Sequence, residues 1–457
     1  MKKIPILLFF LISFYSFSQD NLFLRGTIRN FGSGRIFLQS YYGEKMTTVD
    51  SAVTDASGTF SLRLKPFYKP GLYRLVLGKD QQLDLVLNHE TIDFITDSNA
   101  PADSLLISSS LENKLFYYFL QESKTDQARL ELLMQLIDYY PAKDKFYAQA
   151  VSEYENIQMR QQTIVDSLTG KYPASFAVKM FRLQQTPFLL ASLSKQERMD
   201  YLKQHFFDRI DFADTLLLRS NAWSGKAISY LALYSNNRLT QKQLEGEFIK
   251  AVTILMSAAS GNPELYKFLL DYLVTGFDRY HFEGVITYMA DNFQDPFACE
   301  DQARKTALQK KLENFKKISV GKTAPEIEVP DMKGKMIRLS DIRSEYTLII
   351  FWSSECGHCA QMLPKVRDLY YGQKPKKYEI LAVSVDSSMT AWSGFLKSEK
   401  LDWLNGSDLK GFDSKAADDY NIYATPTMFL LDRDKKILAK PISYKELEQA
   451  LKEFNLL

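Results

Sequence analysis

Phe351-Trp352-Ser353-Ser354-Glu355-Cys356-Gly357-His358-Cys359 decides the reading of this chain. It closes a run from Tyr346 to Trp352, apolar but for the β-branched Thr347, of the kind a central buried strand requires. Beyond it, Met362, Val366 and Leu369 recur at helical spacing. A strand ending near Ser353 therefore delivers Cys356 to the first turn of a helix. Unpaired backbone N–H groups and the helix dipole favour an anion at that position, so the Cys356 pKa is expected below that of a free thiol. Cys356 is the expected nucleophile. Cys359 stands close enough to close an intramolecular disulfide and to resolve a mixed disulfide with substrate. The pair is expected to be a redox-active disulfide that needs no other cofactor.

Gly357 and His358 sit between the two cysteines as tuning residues. His358 can add positive charge or a hydrogen bond to the thiolate, which stabilises the reduced form and makes the couple more oxidising than a Gly-Pro pair would. A solvated histidine at a helix start is the plainer reading. Other uses of the pair fare worse. Haem attachment needs histidine directly after the second cysteine, where Ala360 stands. Structural zinc needs four ligands, and no second Cys-x-x-Cys or His pair supplies the remainder, so no metal site is expected. Two thiolates and an imidazole would also suit copper. A passive disulfide across so short a loop would add little stability.

Outward from this stretch, residues 319–457 read as strand, helix, strand, helix, two strands and a final helix, the order of an α/β sheet domain. Tyr378 to Val385 and Thr427 to Leu431 are its further strands, Lys435 to Ala439 an edge strand, and Ser443 to Phe454 the closing helix. Residues 104–317 carry helical signals: capping boxes at Ser194-Lys195-Gln196-Glu197 and Thr240-Gln241-Lys242-Gln243, and prolines at helix starts in Asn262-Pro263 and Tyr140-Pro141. His205 and His281 lie among aromatic residues there and read as packing histidines. Residues 20–100 alternate in short runs, such as Thr59-Phe60-Ser61-Leu62-Arg63-Leu64, punctuated by turns such as Asp55-Ala56-Ser57-Gly58. They predict an all-β sandwich of antiparallel strands, in which His89 is structural or solvated. The expected fold is thus multidomain: an N-terminal all-β sandwich, a central all-α region and a C-terminal α/β domain.

Length and charge bound the rest. With 457 residues, 46% hydrophobic and 25% charged, the chain can bury several cores. A net charge of +2 gives no electrostatic case for nucleic acid or an anionic membrane. Lys2 and Lys3 precede an apolar run from Ile4 to Leu11 that continues to Phe17, followed by the small-residue neighbourhood Ser16-Phe17-Ser18. Residues 1–18 therefore read as a cleaved signal peptide, since the run falls short of the roughly 20 apolar residues of a spanning helix. The mature protein is expected to be soluble, in the periplasm or cell envelope. Two of the three cysteines share one motif, so catalysis explains them better than a disulfide scaffold. Cys299 is left over, reads as a small hydrophobe and is given no role.

The motif, with Pro364 in the following helix and Ala424-Thr425-Pro426-Thr427 before a strand, resembles the thioredoxin superfamily, closest to its TlpA/ResA-like envelope branch. The resemblance covers about 140 residues. It implies that Pro364 kinks the active-site helix, and that Thr425-Pro426 is a cis peptide facing the cysteines, whose neighbouring backbone binds an extended substrate. It further implies protein thiols and disulfides as substrates and allows a membrane electron donor. The Gly-His pair is also similar to that of protein disulfide isomerases. Residues from Leu22 to about Thr96, with Val49-Asp50-Ser51-Ala52, resemble an uncharacterised β-rich domain that often precedes thioredoxin domains in bacterial envelope proteins.

Two departures stand out. Thioredoxins carry a buried acid where this chain has Ile350, and several TlpA/ResA-like reductases a glutamate where it has Met362. Glu355 and Lys365 remain as nearby titratable groups. Two other functions compete. An AhpC/TSA-type thiol peroxidase shares the Ala324-Pro325 entry and the strand order, but needs a proline where Ile349 stands; Ser353 fits its hydroxyl position loosely. A non-enzymatic envelope binding protein with a degenerate thioredoxin fold is the other, favoured by Ile350 and Met362 and opposed by the cysteine pair and Thr425-Pro426.

Overall fold

The computed structural model describes residues 22–297, 306–372 and 375–457. The expected signal segment and Cys299 lie outside these residues. The chain forms two compact units: residues through Ser235 with Ala258–Leu265, and Asn236–Ser257 with Tyr266–Leu457.

The first unit opens with β1 (Phe23–Arg29), β2 (Arg35–Tyr42), β3 (Lys45–Val53), β4 (Thr59–Arg63), β5 (Gly71–Val76), β6 (Gln82–Leu87), β7 (Ile92–Asp97) and β8 (Leu106–Ser109). They make two four-stranded sheets, ordered β4-β1-β7-β8 and β3-β2-β5-β6. Alternate residues such as Leu24, Ile28, Leu38, Leu85 and Phe94 point inward and build one core. Pairing is antiparallel apart from β1 with β7, which run parallel. β8 lies inside the stretch expected to be helical: Leu106 and Ile107 pair with Ile95 and Phe94 and extend the first sheet. Helices follow: α1 (Leu111–Tyr139), α2 (Lys145–Lys171), α3 (Phe176–Gln184), α4 (Lys195–His205) and α5 (Ala222–Ala232). Ser194 and Glu197 form the expected capping box at α4. Pro141 does not start a helix; it lies in the connection between α1 and α2, and Asp144 caps α2 by accepting from Phe146 N. His89 is an exposed turn residue, and His205 is held by Asp208 at 2.6 Å and packed on Tyr201.

In the second unit, most of α6 (Gln241–Ala259) and α7 (Pro263–Arg279), with α8 (Glu283–Asn292) and α9 (Ala307–Lys317), precede the α/β domain. A short antiparallel pair, β9 (Glu328–Pro330) with β10 (Met336–Arg338), leads into β11 (Tyr346–Trp352), α10 (Gly357–Tyr371), β12 (Tyr378–Ser384), α11 (Met389–Glu399), β13 (Leu404–Gly406), α12 (Lys415–Asp419), β14 (Thr427–Leu431), β15 (Ile437–Ala439) and α13 (Tyr444–Glu453). The central sheet runs β13-β12-β11-β14-β15, parallel on the β12 side of β11 and antiparallel on the β14 side.

β11 is apolar apart from Thr347, whose buried hydroxyl is held by Lys435 Nζ at 2.8 Å, because both of its faces are covered. Leu348, Ile350 and Trp352 pack with α10, α11 and α13, while Ile349 and Phe351 pack with α12 and the segment around Ile318 to Leu339. Burying each such side chain contributes about 1.5–3 kcal/mol. This central strand carries the loop that ends in Cys356, so its burial sets the position of the site. The architecture is a β-rich N-terminal region, a helical middle and a thioredoxin-like α/β C-terminal domain.

Candidate active site

β11 ends at Trp352, whose carbonyl accepts from Val385 N at 2.9 Å. The loop Ser353-Ser354-Glu355 then turns the chain into α10, with Cys356 as its N-cap. The Cys356 sulfur accepts from Cys359 N at 3.2 Å, as a capping serine oxygen would. Its thiol donates to the Thr425 carbonyl at 3.2 Å. Thr425-Pro426 is cis, and the cis-proline loop faces the cysteine pair. Pro364 lies inside α10. Both cysteines are free thiols, Cys356 half-buried and Cys359 fully buried.

Their environments separate them chemically. Partial burial raises the Cys356 thiol, but hydrogen bonds with Cys359 and Thr425 and from the Cys359 and His358 backbones outweigh it and bring the pKa below the ordinary thiol value. Burial, then the hydrogen bond to Cys356 and its charge, push Cys359 up to about 12. One thiol is thus easier to ionise than an ordinary cysteine and its neighbour harder. The exposed His358 ring makes no hydrogen bond to either thiol among the described residues; only its backbone reaches Cys356. Gly357 is exposed, and a Cβ there would meet nothing. Glu355 is exposed, while Ile350 and Met362 are packed in the core with Cys359.

Sequence reasoning missed Asp386. Its carboxylate is 4% exposed. It accepts from Ser353 Oγ (2.7 Å), Ser354 N (2.9 Å), Ser354 Oγ (3.0 Å) and Ser384 Oγ (2.8 Å). An acid directly after the buried run Ala382-Val383-Ser384-Val385 was the available signal, since a buried carboxylate needs partners. It pins the loop that presents Cys356. His281 was also misplaced: it is exposed, with φ 59°, and lines a groove of about 480 Å³ shared with His358, Met362, Lys365 and Pro426.

A sheet in this order, a Cys-x-x-Cys at the start of the helix after its central strand, and a cis-proline opposite define a thioredoxin-fold redox domain. Residues 320–440 match the AhpC/TSA family. ResA, a thiol-disulfide oxidoreductase of Bacillus cereus, is 34% identical over 133 residues, covering 29% of this chain and 75% of the relative. The ResA of a second B. cereus strain is 30% identical over 149 residues, covering 33% and 84%. Through this region the chain belongs to the ResA family of thiol-disulfide oxidoreductases. Among solved structures, a thiol-disulfide oxidoreductase from Bacteroides fragilis is 34% identical, covering 29% of this chain and 99% of that one with a TM-score of 0.27. Residues 23–116 and 149–273 match two domains of unknown function, DUF4369 and DUF5106.

Proposed function

We propose that this protein is an exported enzyme that exchanges disulfides with protein substrates through Cys356 and Cys359. The observation that carries this reading is the asymmetry of the pair: a half-exposed Cys356 with a lowered pKa beside a buried Cys359 held protonated at neutral pH. The Cys356 thiolate attacks one sulfur of a substrate disulfide; that S–S bond breaks and the second substrate sulfur leaves as a thiolate that takes a proton. Cys359 then gives up its proton and attacks Cys356 Sγ, closing Cys356–Cys359 and releasing the substrate as a dithiol. Two electrons pass to the substrate, and the reverse sequence oxidises it. Thr425 and Pro426 flank the path an extended substrate would take, and Gly357 and His358 set the potential. Re-reduction calls for a thiol or membrane-bound electron donor.

Ser353 Oγ is engaged by Asp386 and Ile349 is buried in β11, which supports exchange over peroxide chemistry at Cys356. Export rests on the basic start and short apolar run of residues 1–18. Among the described residues no helix is long and apolar enough to cross a membrane. The test is a trap: Cys359→Ser should accumulate mixed disulfides with envelope proteins through Cys356, visible as thiol-sensitive high-mass bands. Equal trapping by Cys356→Ser would refute the assignment, and a mature protein that keeps its first 18 residues and fractionates with cytoplasmic proteins would refute export.

A further inference from the structure

The groove beside Cys356 has a wall that the thioredoxin-like domain does not supply. α7 ends at Arg279 and α8 begins at Glu283, and the turn between them stands against the cis-proline loop. Tyr423 Oη donates to Asp278 Oδ1 at 2.5 Å, and Lys311 Nζ pairs with the same carboxylate at 3.1 Å. Lys440, with a side chain only 8% exposed, pairs with Glu283 at 2.6 Å. The turn is braced from behind, because Gln241 Nε2 donates to the His281 carbonyl at 2.9 Å and Gly284 N to Glu245 Oε1 at 2.9 Å.

These pairings leave a charge pattern. Asp278, Glu283 and Lys440 neutralise one another or Lys311 within the wall. Lys365, exposed on α10 and facing the groove, lies 5.9 Å from the Tyr444 ring centroid and has no carboxylate at ion-pair distance among the described residues. Met362, Pro426 and Ile442 supply an apolar lining. An ammonium beside an apolar trough fits a flexible chain segment that offers one carboxylate and one apolar side chain, and it disfavours a basic one.

Building on the exchange reaction above, we propose that the α7–α8 turn and Lys365 make the groove selective for extended protein segments carrying an acidic side chain next to the reacting cysteine. The carboxylate faces Lys365, and the segment runs between the turn and cis-Pro426.

The test uses the full mature protein, reduced, and two unstructured peptides that each carry one internal disulfide. The peptides are identical except that aspartate or lysine flanks the cysteines. Second-order rate constants are read from peptide thiol release. The aspartate peptide is expected to react about two- to fivefold faster at low ionic strength, with the preference shrinking as salt rises. Lys365→Gln should bring the ratio close to one. Glu283→Gln uncovers Lys440 and should raise the ratio above that of the unmodified protein, which a merely structural role for the turn would not do. Equal rates for the two peptides, or a ratio that neither variant moves, would overturn the proposal while exchange itself stands. Absence of reaction with both peptides and with glutathione disulfide would instead remove the exchange reading, and this proposal with it.

Discussion

Alkylation of the native reduced protein should single out Cys356 and leave Cys359 unmodified. Cys359 lies at about 12 against an ordinary 9.0, which lowers its thiolate fraction at neutral pH about a thousandfold, or about 4 kcal/mol. Cys356 lies below that ordinary value, so its thiolate fraction at pH 7 exceeds about one per cent, against about one in a hundred thousand for Cys359. Because only the thiolate alkylates, short iodoacetamide pulses on the reduced protein should modify Cys356 far faster at pH 7, the population ratio of about a thousandfold being offset in part by the greater intrinsic nucleophilicity of the higher-pKa thiolate. Burial of Cys359 widens the gap. Peptide mass spectrometry across pH 5 to 10 should show Cys356 labelling with a midpoint below 9 and Cys359 unlabelled throughout the native range. Comparable labelling of both at pH 7, or Cys359 reacting first, would refute the division of roles. Denatured protein supplies the control, in which both should label alike.

Other expectations concern the frame around the site and a buried lysine elsewhere. Asp386→Asn keeps the shape but, with the amide nitrogen in place of Oδ1, turns a donor toward Ser354 N–H and the Ser353 and Ser354 hydroxyls, so chemical denaturation should show a loss of about 2–4 kcal/mol. No change in the midpoint would mean that the carboxylate does not hold the loop. Lys226 is 3% exposed, donates to the Gln185 carbonyl at 2.8 Å, and is lowered by burial from 10.5 to about 8. Its folded pKa lies below its unfolded one, so the unfolded chain binds the extra proton and stability rises with pH between about 8 and 10.5, the penalty being full below 8. Lys226→Met should therefore be about 1–2 kcal/mol more stable at pH 6, the lost hydrogen bond offsetting part of the gain. Paired melting curves should show that advantage fading by pH 10.5, and a difference independent of pH would contradict it.

The C-terminal fold was legible because its signals are local. An apolar run from Tyr346 to Trp352 reads as a doubly covered strand wherever it occurs, and Ser194 with Glu197 announces a helix start from two side chains alone. The placement of Cys356 and Cys359 at one helix start was legible for the same reason, since they stand three apart in one helical turn. What stayed hidden depends on distant pairing. Leu106–Ser109 becomes a strand only because β7 offers an edge, and Pro141 falls between helices because Asp144 is the better cap. Asp278, His281 and Glu283 precede Cys356 by more than seventy residues, and no periodicity joins a helix turn to a cis-proline loop. His281 therefore read as a packing residue, whereas a left-handed backbone at that turn places it in the groove.

The central claim is that Cys356 and Cys359 form one reversible two-electron couple. Equilibrating the purified mature protein against graded glutathione buffers, with acid quenching and mass readout of the thiols, tests it directly. A single Nernst transition of about 30 mV per decade is expected, with a midpoint between the values typical of thioredoxin, about −270 mV, and protein disulfide isomerase, about −180 mV. A pair that remains reduced in fully oxidised glutathione, or that takes up glutathione without closing its own disulfide, would contradict the claim.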